Sequence, residues 1–341
     1  MRQVPTPRCA AQRNACHRDL RGRSGTIACT RNARRAAPAL LALWISVAAA
    51  GCGAALTNAR LIETVRTSPS VKSREAAADK LYWRLYDLRF RAGCSDPRAR
   101  EQARAELDAL NDPSARDALL AAAQDGIGIA GWVLGAVGDE RVVAMAEPGL
   151  VSPDEMTRRD AFWALRDGAS HGRIARAAEL LIEKAGDRAF PHRASALHWL
   201  GDVSIEGAAA MPGDVAHRIL AALIEALDDP DADTRAAGAR GLAEFLCPMG
   251  SEGREAERVG VRVPTEAMVE HLGDLNPNVR RDLLRVLAVY HHGEPPAELA
   301  RLLADPDPDV RIAAFQVAEK SPSDALVGGL AQAVRAEVEQ W

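Results

Sequence analysis

One frame recurs eight times along this chain of 341 residues: an arginine, then an apolar or small residue three positions later and another seven positions later. The instances are Arg74, Ala77, Leu81; Arg100, Ala103, Leu107; Ile127, Ala130, Leu134, where the arginine is missing; and Arg158, Ala161, Leu165. They continue as Arg193, Ala196, Leu200; Arg235, Gly238, Leu242; Arg280, Leu283, Leu287; and Arg311, Ala314, Ala318. Offsets of three, four and seven lie on one face of an α-helix. Successive starts are 26, 27, 31, 35, 42, 45 and 31 residues apart, an average of about 34. An amphipathic unit repeated at that period cannot hide its apolar face alone, so its copies must stack.

The residues before each frame make the unit a hairpin. Asp307-Pro308, Asn276-Pro277 and Asp96-Pro97 precede their arginines by four and three positions, and Asp231 and Ser70 hold the matching cap position. An Asp, Asn or Ser side chain accepts from the free N–H groups of a first turn, and proline there loses no hydrogen bond. Upstream lies a second amphipathic segment, such as "VAHRILAALIEALDD" before Arg235 or "GRIARAAELLIEKAG" before Arg193. Apolar residues make up 48% of the chain but aromatics only 4%, and no run alternates with period two. Composition and period together predict an all-α solenoid, a superhelix of stacked helical hairpins.

"LLADPDPDVRIAAFQVA", "LDDPDADTRAAGARGLAEF" and "GWVLGAVGDERVV" resemble HEAT repeats, in particular the short HEAT-like type first described in phycobilisome lyases. The resemblance spans roughly Ser70 to Gln340. It implies a structural ladder between units, formed by turn acids and helix arginines: Asp231 with Arg235, Asp307 or Asp309 with Arg311, and Arg158, Arg193 and Arg280 in equivalent roles. It is specific for fold and nearly silent on activity. The chain thus divides into a leader (1–51), a tether and first helix (52–69), and about eight repeats with a C-terminal capping helix (70–341).

The leader differs from the body in charge. Of 43 basic and 47 acidic residues, the first 51 positions hold nine arginines and one acid, Asp19, which leaves 34 against 46 and a net charge of −12 from Cys52 onward. So acidic a body repels nucleic acid and anionic lipid unless a local basic patch overrides its field. Within the leader, Arg31, Arg34 and Arg35 precede "APALLALWISVAAA", an uncharged run of 14 residues, too short for a comfortable bilayer span and ordered like a secretory signal. "AAGC" (Ala49 to Cys52) then resembles the lipobox of bacterial lipoproteins, with Ala49 where Leu is usual. A conventionally cleaved signal or an uncleaved anchor fits the same run.

The lipobox resemblance implies acylation of Cys52, and Gly53 after it implies sorting to the outer membrane, facing the periplasm. Two or more acyl chains anchor stably where one does not. Of the other cysteines only Cys94 and Cys247 follow Cys52, on the order of 40–50 Å apart in a regular stack and therefore not bridged to each other.

Within each second helix, offset five points about 150° from the centre of the apolar face. That column reads Trp132, Trp163, His198, Arg240, Arg285 and Gln316, with Arg159 and Arg281 nearby. Trp and Arg dominate protein-binding hot spots, so this stripe is the expected contact surface for a protein partner. Burial of Trp132 and Trp163 against neighbouring hairpins fits equally well. Two long connections, Gly201 to Asp214 and Cys247 to Pro264, are a second candidate and fall on one edge.

No HExxH, phosphate loop, G-x-G-x-x-G or His-Glu dipeptide occurs, so neither metal nor cofactor is expected, and His291-His292 is expected in a solvent-exposed loop. "GASHG" (Gly168 to Gly172) matches a hydrolase pattern that needs a strand before Ser170, whereas helices flank it here. A binding scaffold is therefore the expected function. An enzyme subunit resembling bilin lyases is the alternative. Mass spectrometry of the mature protein is expected to find an acylated Cys52 at the N-terminus, and Cys52→Ala to release the protein from the membrane fraction.

Overall fold

The fold follows from where each amphipathic helix finds a partner for its apolar stripe. The structure, a computed structural model, describes residues 57–92, 97–248 and 254–320. Of these, 74% are helical and none forms a strand.

The α-helices are α1 (Asn58–Thr67), α2 (Val71–Ala92), α3 (Pro97–Leu110), α4 (Pro113–Gln124), α5 (Gly128–Ala136) and α6 (Arg141–Ala146). There follow α7 (Glu155–Ser170), α8 (Ala175–Gly186), α9 (Arg193–Gly201), α10 (Ile205–Ala209), α11 (Val215–Glu225) and α12 (Ala232–Leu246). The last are α13 (Glu255–Arg258), α14 (Thr265–Val269), α15 (Pro277–Tyr290), α16 (Leu299–Leu302) and α17 (Pro308–Lys320).

Seven hairpins result among the described residues: α1/α2, α4/α5, α6/α7, α8/α9, α11/α12, α14/α15 and α16/α17. Their second helices stack in chain order, α2 on α5, α5 on α7, and so on to α15 on α17, which is an all-α solenoid. In the first layer α1 packs on α4 and α8 on α11. A single apolar core runs between the layers, built mainly from Leu, Ala, Val and Ile.

Small residues let the second helices approach closely. A Cβ on Gly201 would collide with the backbone of Gly241 on the next second helix, and one on Gly135 with the carbonyl of Ala164.

Seven of the eight frames open the second helix of a hairpin among the described residues, and one does not. The segment at Arg100 forms α3, which packs against α2 and α1, while α2 goes on directly to α5. Period alone identifies an amphipathic helix; it does not say which layer that helix joins.

Among the described residues the expected caps form, while Asp96 lies outside them. Asp231 accepts from the Thr234 amide at 2.8 Å, Asn276 from Asn278 at 3.0 Å, and Asp307 from Asp309 and Val310 at 2.9 and 3.1 Å.

The ladder exists with a different acid. Asp231 and Asp307 serve as caps, and the carboxylate that Arg235 pairs with is Asp274 rather than Asp231. Each arginine instead donates Nη1 to the two backbone carbonyls that open its own turn: Arg158 to Ser152 and Pro153, Arg235 to Asp229 and Pro230, Arg280 to Asp274 and Leu275, Arg311 to Asp305 and Pro306. Arg193, Arg235 and Arg280 reach forward to the first acid of the following turn, whereas among the described residues Arg158 forms no ion pair there. Arg193 pairs with Asp229, Arg235 with Asp274 at 2.6 Å, and Arg280 with Asp305 through bonds of 2.9 and 2.7 Å.

Arg74 pairs with Asp125 at 2.9 Å, passing over α3. This independently places α5 next to α2.

Gly201 to Asp214 and the described part of Cys247 to Pro264 are structured insertions. Each carries a short helix, α10 or α13, and buries apolar side chains (Val203, Ile205, Ala208; Ala256, Val261). The two insertion helices touch each other, on one edge of the stack.

Breaking a rung should cost far more than breaking a surface pair. Arg280→Ala strands Asp305, whose side chain is 4% exposed, and is expected to lower stability by about 3–5 kcal/mol. Arg240→Ala, which loses only an exposed i,i+4 pair with Glu244, should cost under about 1 kcal/mol. Denaturant melts of both variants check this.

Candidate functional site

Two pairs of the offset-five column come together, Trp132 with Trp163 and His198 with Arg240. Trp132 of α5 stacks on Trp163 of α7, with ring centroids 4.4 Å apart and planes 14° from parallel. Trp163 meets Trp199 of α9 at 5.2 Å, and Trp199 meets its neighbour His198 at 5.0 Å. His198 then shares an open groove of about 320 Å³ with Arg240 of α12 and Arg281 of α15, floored by Ala236 and Ala237.

The column is not uniformly a surface. Trp132 is only 9% exposed, and it packs between Tyr82 and Trp163, so it belongs to the core and does not present a contact face. The cause is α5, a helix of nine residues with glycines at 128, 131 and 135, over which α2 and α7 converge. Trp163 is half-buried; His198 and Arg285 are partly exposed, and Arg240 and Gln316 exposed. Arg159 pairs with Asp160 at 3.4 Å, away from the groove lining.

The convergence of α2 on α7 creates a polar cluster the sequence reading missed. Trp163 Nε1 donates to the Tyr82 hydroxyl at 3.0 Å, Tyr82 to the Tyr86 hydroxyl at 3.2 Å, and Tyr86 to Asp167 Oδ1 at 3.3 Å. His171 Nε2 lies 2.9 Å from the same Tyr86 oxygen. A hydroxyl has one proton. With Tyr86 donating to Asp167, His171 must carry its proton on Nε2, and every donor arrow ends at the carboxylate. Arg166 brings its Nε to 3.0 Å from Asp167 Oδ1, off the alignment of a hydrogen bond, and its guanidinium sits 5.2 Å from the Trp163 ring centroid. From α2, Arg89 donates to the Ala136 carbonyl at the end of α5. A signal existed: two of the three tyrosines, Tyr82 and Tyr86, sit one helical turn apart beside Trp83.

Burial dominates the electrostatics here. It pushes the fully buried Asp167 up to about 6, against the nearby Arg166 charge. It pushes His171 down to about 3, aided by Arg89 and Arg166, so this imidazole is neutral across the physiological range. Tyr86 rises to about 12 for the same reason.

Ser170, the serine of "GASHG", is the last residue of α7 and accepts from the Ser204 amide at 3.1 Å, tying the first insertion to the stack. A buried helix-end serine is not a nucleophile on a strained turn. His291 contacts the Glu294 carbonyl and His292 the Glu257 carboxylate. Cys247 is unpaired, and burial raises its thiol to about 12. Cys52 and Cys94 lie outside the described residues. Among those residues no group of three or more His, Cys, Asp or Glu could hold a metal, and no helix is long and apolar enough to cross a membrane.

No protein-family model matches the chain, and no curated protein matches it. Two crystal structures of engineered proteins from the Northeast Structural Genomics Consortium are similar at 19% and 18% identity. These alignments cover 80% and 82% of this chain and 97% and 82% of those, with TM-scores of 0.37 and 0.38. The all-α solenoid is evident from the helix stacking itself.

The two buried groups oppose each other in acid. Asp167 holds its proton more tightly folded (about 6) than unfolded (3.8), so its contribution to stability falls as pH rises through that window. His171 holds its proton less tightly folded (about 3) than unfolded (6.5), so its contribution rises with pH. Asp167→Asn should therefore leave stability climbing between about pH 4 and 6. His171→Gln should leave it falling over the same range, each by on the order of 3 kcal/mol. Urea melts at three pH values test this; identical profiles for both variants and the parent would refute it.

Proposed function

We propose that this chain is a HEAT-like scaffold of the bacterial cell envelope that docks a protein partner on its second-helix layer, tethered to the membrane by an acylated Cys52. The scaffold is a binding module rather than an enzyme. The observation that carries the reading is the run from half-buried Trp163 through Trp199 to His198, which lines one open groove with the exposed Arg240, while Arg285 of the next second helix stands beside Asp282 of that lining.

Trp and Arg held on rigid helices lose little conformational freedom when a partner arrives. Trp83 extends the stripe at the other end: it is 57% exposed and stands 5.6 Å, ring to ring, from Tyr82. Exposed tryptophan adjoining an ordered aromatic cluster is a common anchor for another protein. The basic-then-apolar leader ending in "AAGC" supports the envelope address.

A photoreactive amino acid placed at Arg240, at Arg285 and, on the opposite layer, at the exposed Glu225 tests the reading in cells. Adducts of one common mass are expected from positions 240 and 285 and not from 225, and Cys52→Ala should abolish them by removing the protein from the envelope. Equal adducts from all three positions, or none from the first two, would end the proposal.

A further inference from the structure

We infer that the groove between α9, α12 and α15 takes an acidic peptide segment. This rests on the docking reading above and names the chemistry of the docked partner.

The inference starts from which charges face outward. The side chains of Arg240, Arg281 and Arg285 are 55%, 32% and 37% exposed, whereas Asp282, the acid in the groove lining, is 2% exposed. Asp282 lies beneath Arg281 and Arg285. It accepts from Arg281 Nε and Nη2 at 2.9 and 3.0 Å and stands 3.5 Å from Arg285 Nη1. Glu244, 26% exposed, takes Arg240 Nε at 2.9 Å and is itself hydrogen-bonded to Asp202. Within the groove lining two guanidiniums stand above one buried carboxylate, so an arriving ligand meets guanidinium first, with Asp307 and Asp309 the further acids within electrostatic reach of Arg281.

These contacts also hold the guanidiniums in place. Asp282 and the Asn278 side chain, which accepts from Arg281 Nη1 at 2.9 Å, engage three of the five N–H groups of Arg281. The fork is therefore oriented before a ligand binds, which lowers the entropy lost on binding a carboxylate bidentately. Ala236 and Ala237 leave the floor open, and about 320 Å³ suits a few side chains of an extended segment.

The rest of the body excludes competing anions. A net charge of −12 from Cys52 onward opposes duplex nucleic acid and a flat anionic bilayer, which must meet the whole surface. A peptide confined to the groove feels mainly charges within about one Debye length, ~8 Å at physiological salt.

The test probes the full chain against an array of randomised decapeptides, with parallel sedimentation against vesicles of phosphatidylcholine containing phosphatidylglycerol. Bound peptides are expected to be enriched in Asp and Glu. A representative bound peptide should weaken at least about tenfold in Arg240→Glu and in Arg281→Glu, the loss of one charge-assisted hydrogen bond. Raising salt should weaken it as well. Far-UV circular dichroism confirms that both variants fold, as an exposed Arg240 allows.

No bound peptides, no acid enrichment, or enrichment that survives both reversals would overturn the inference, as would vesicle binding that the same reversals abolish. Adducts from positions 240 and 285 without acid enrichment would discard the ligand chemistry and keep the docking face; absence of those adducts would discard the docking face itself.

Discussion

The stack depends on an arginine that answers two needs at once. A tight turn between helices leaves carbonyls without donors, and a second helix laid on the first must be prevented from sliding. Arg235 donates to the Asp229 and Pro230 carbonyls of its own turn and to the Asp274 carboxylate of the next. Arg280 repeats the arrangement one rung on, with Asp274, Leu275 and Asp305. The turn acid is shared as well: Asp274 Oδ1 accepts from the Asn276 amide at 2.7 Å and so shapes its own turn while it holds the preceding arginine. A buried ion pair adds little net stability beside an apolar contact, but losing one partner is severe, so such a ladder fixes register more than it adds strength.

Where the ladder is incomplete, side-chain packing takes over. Position 127 holds isoleucine in place of arginine, and the helix that follows is short and rich in glycine. Here α2 reaches across α5 to α7 through the stacked indoles and the Tyr82–Tyr86–Asp167 chain. Aromatic rings supply area where small residues leave little, and the hydroxyls supply partners for a carboxylate that would otherwise be stranded. This region replaces one repeated ionic device with a single local network.

The groove at the other end uses the same materials to a different end. Its Arg281 and Arg285 are backed by the buried Asp282 rather than sealed by backbone carbonyls, so they stay solvent-facing while held in place. Buried rungs and a half-exposed groove thus differ in depth, not in residue type. That is why arginine count alone distinguishes neither.

Much of this was legible in the residue order. The period near 34, the offsets of three and seven, and the Asp-Pro and Asn-Pro turns are local properties, and local geometry turns them into capped helices and hairpins without further information. The stacking of Trp132 on Trp163 and the common groove of His198 and Arg240 agree with the helical angle. Other features needed the tertiary structure, because they depend on which helices become neighbours. The layer joined by α3, the choice of Asp229, Asp274 and Asp305 over the capping acids, the burial of Trp132 and the meeting of Tyr86 with Asp167 each join residues far apart in the chain. Helical periodicity fixes the direction of a side chain around its own axis. It carries no information about how closely the next helix approaches, and that distance decides burial, pairing and charge.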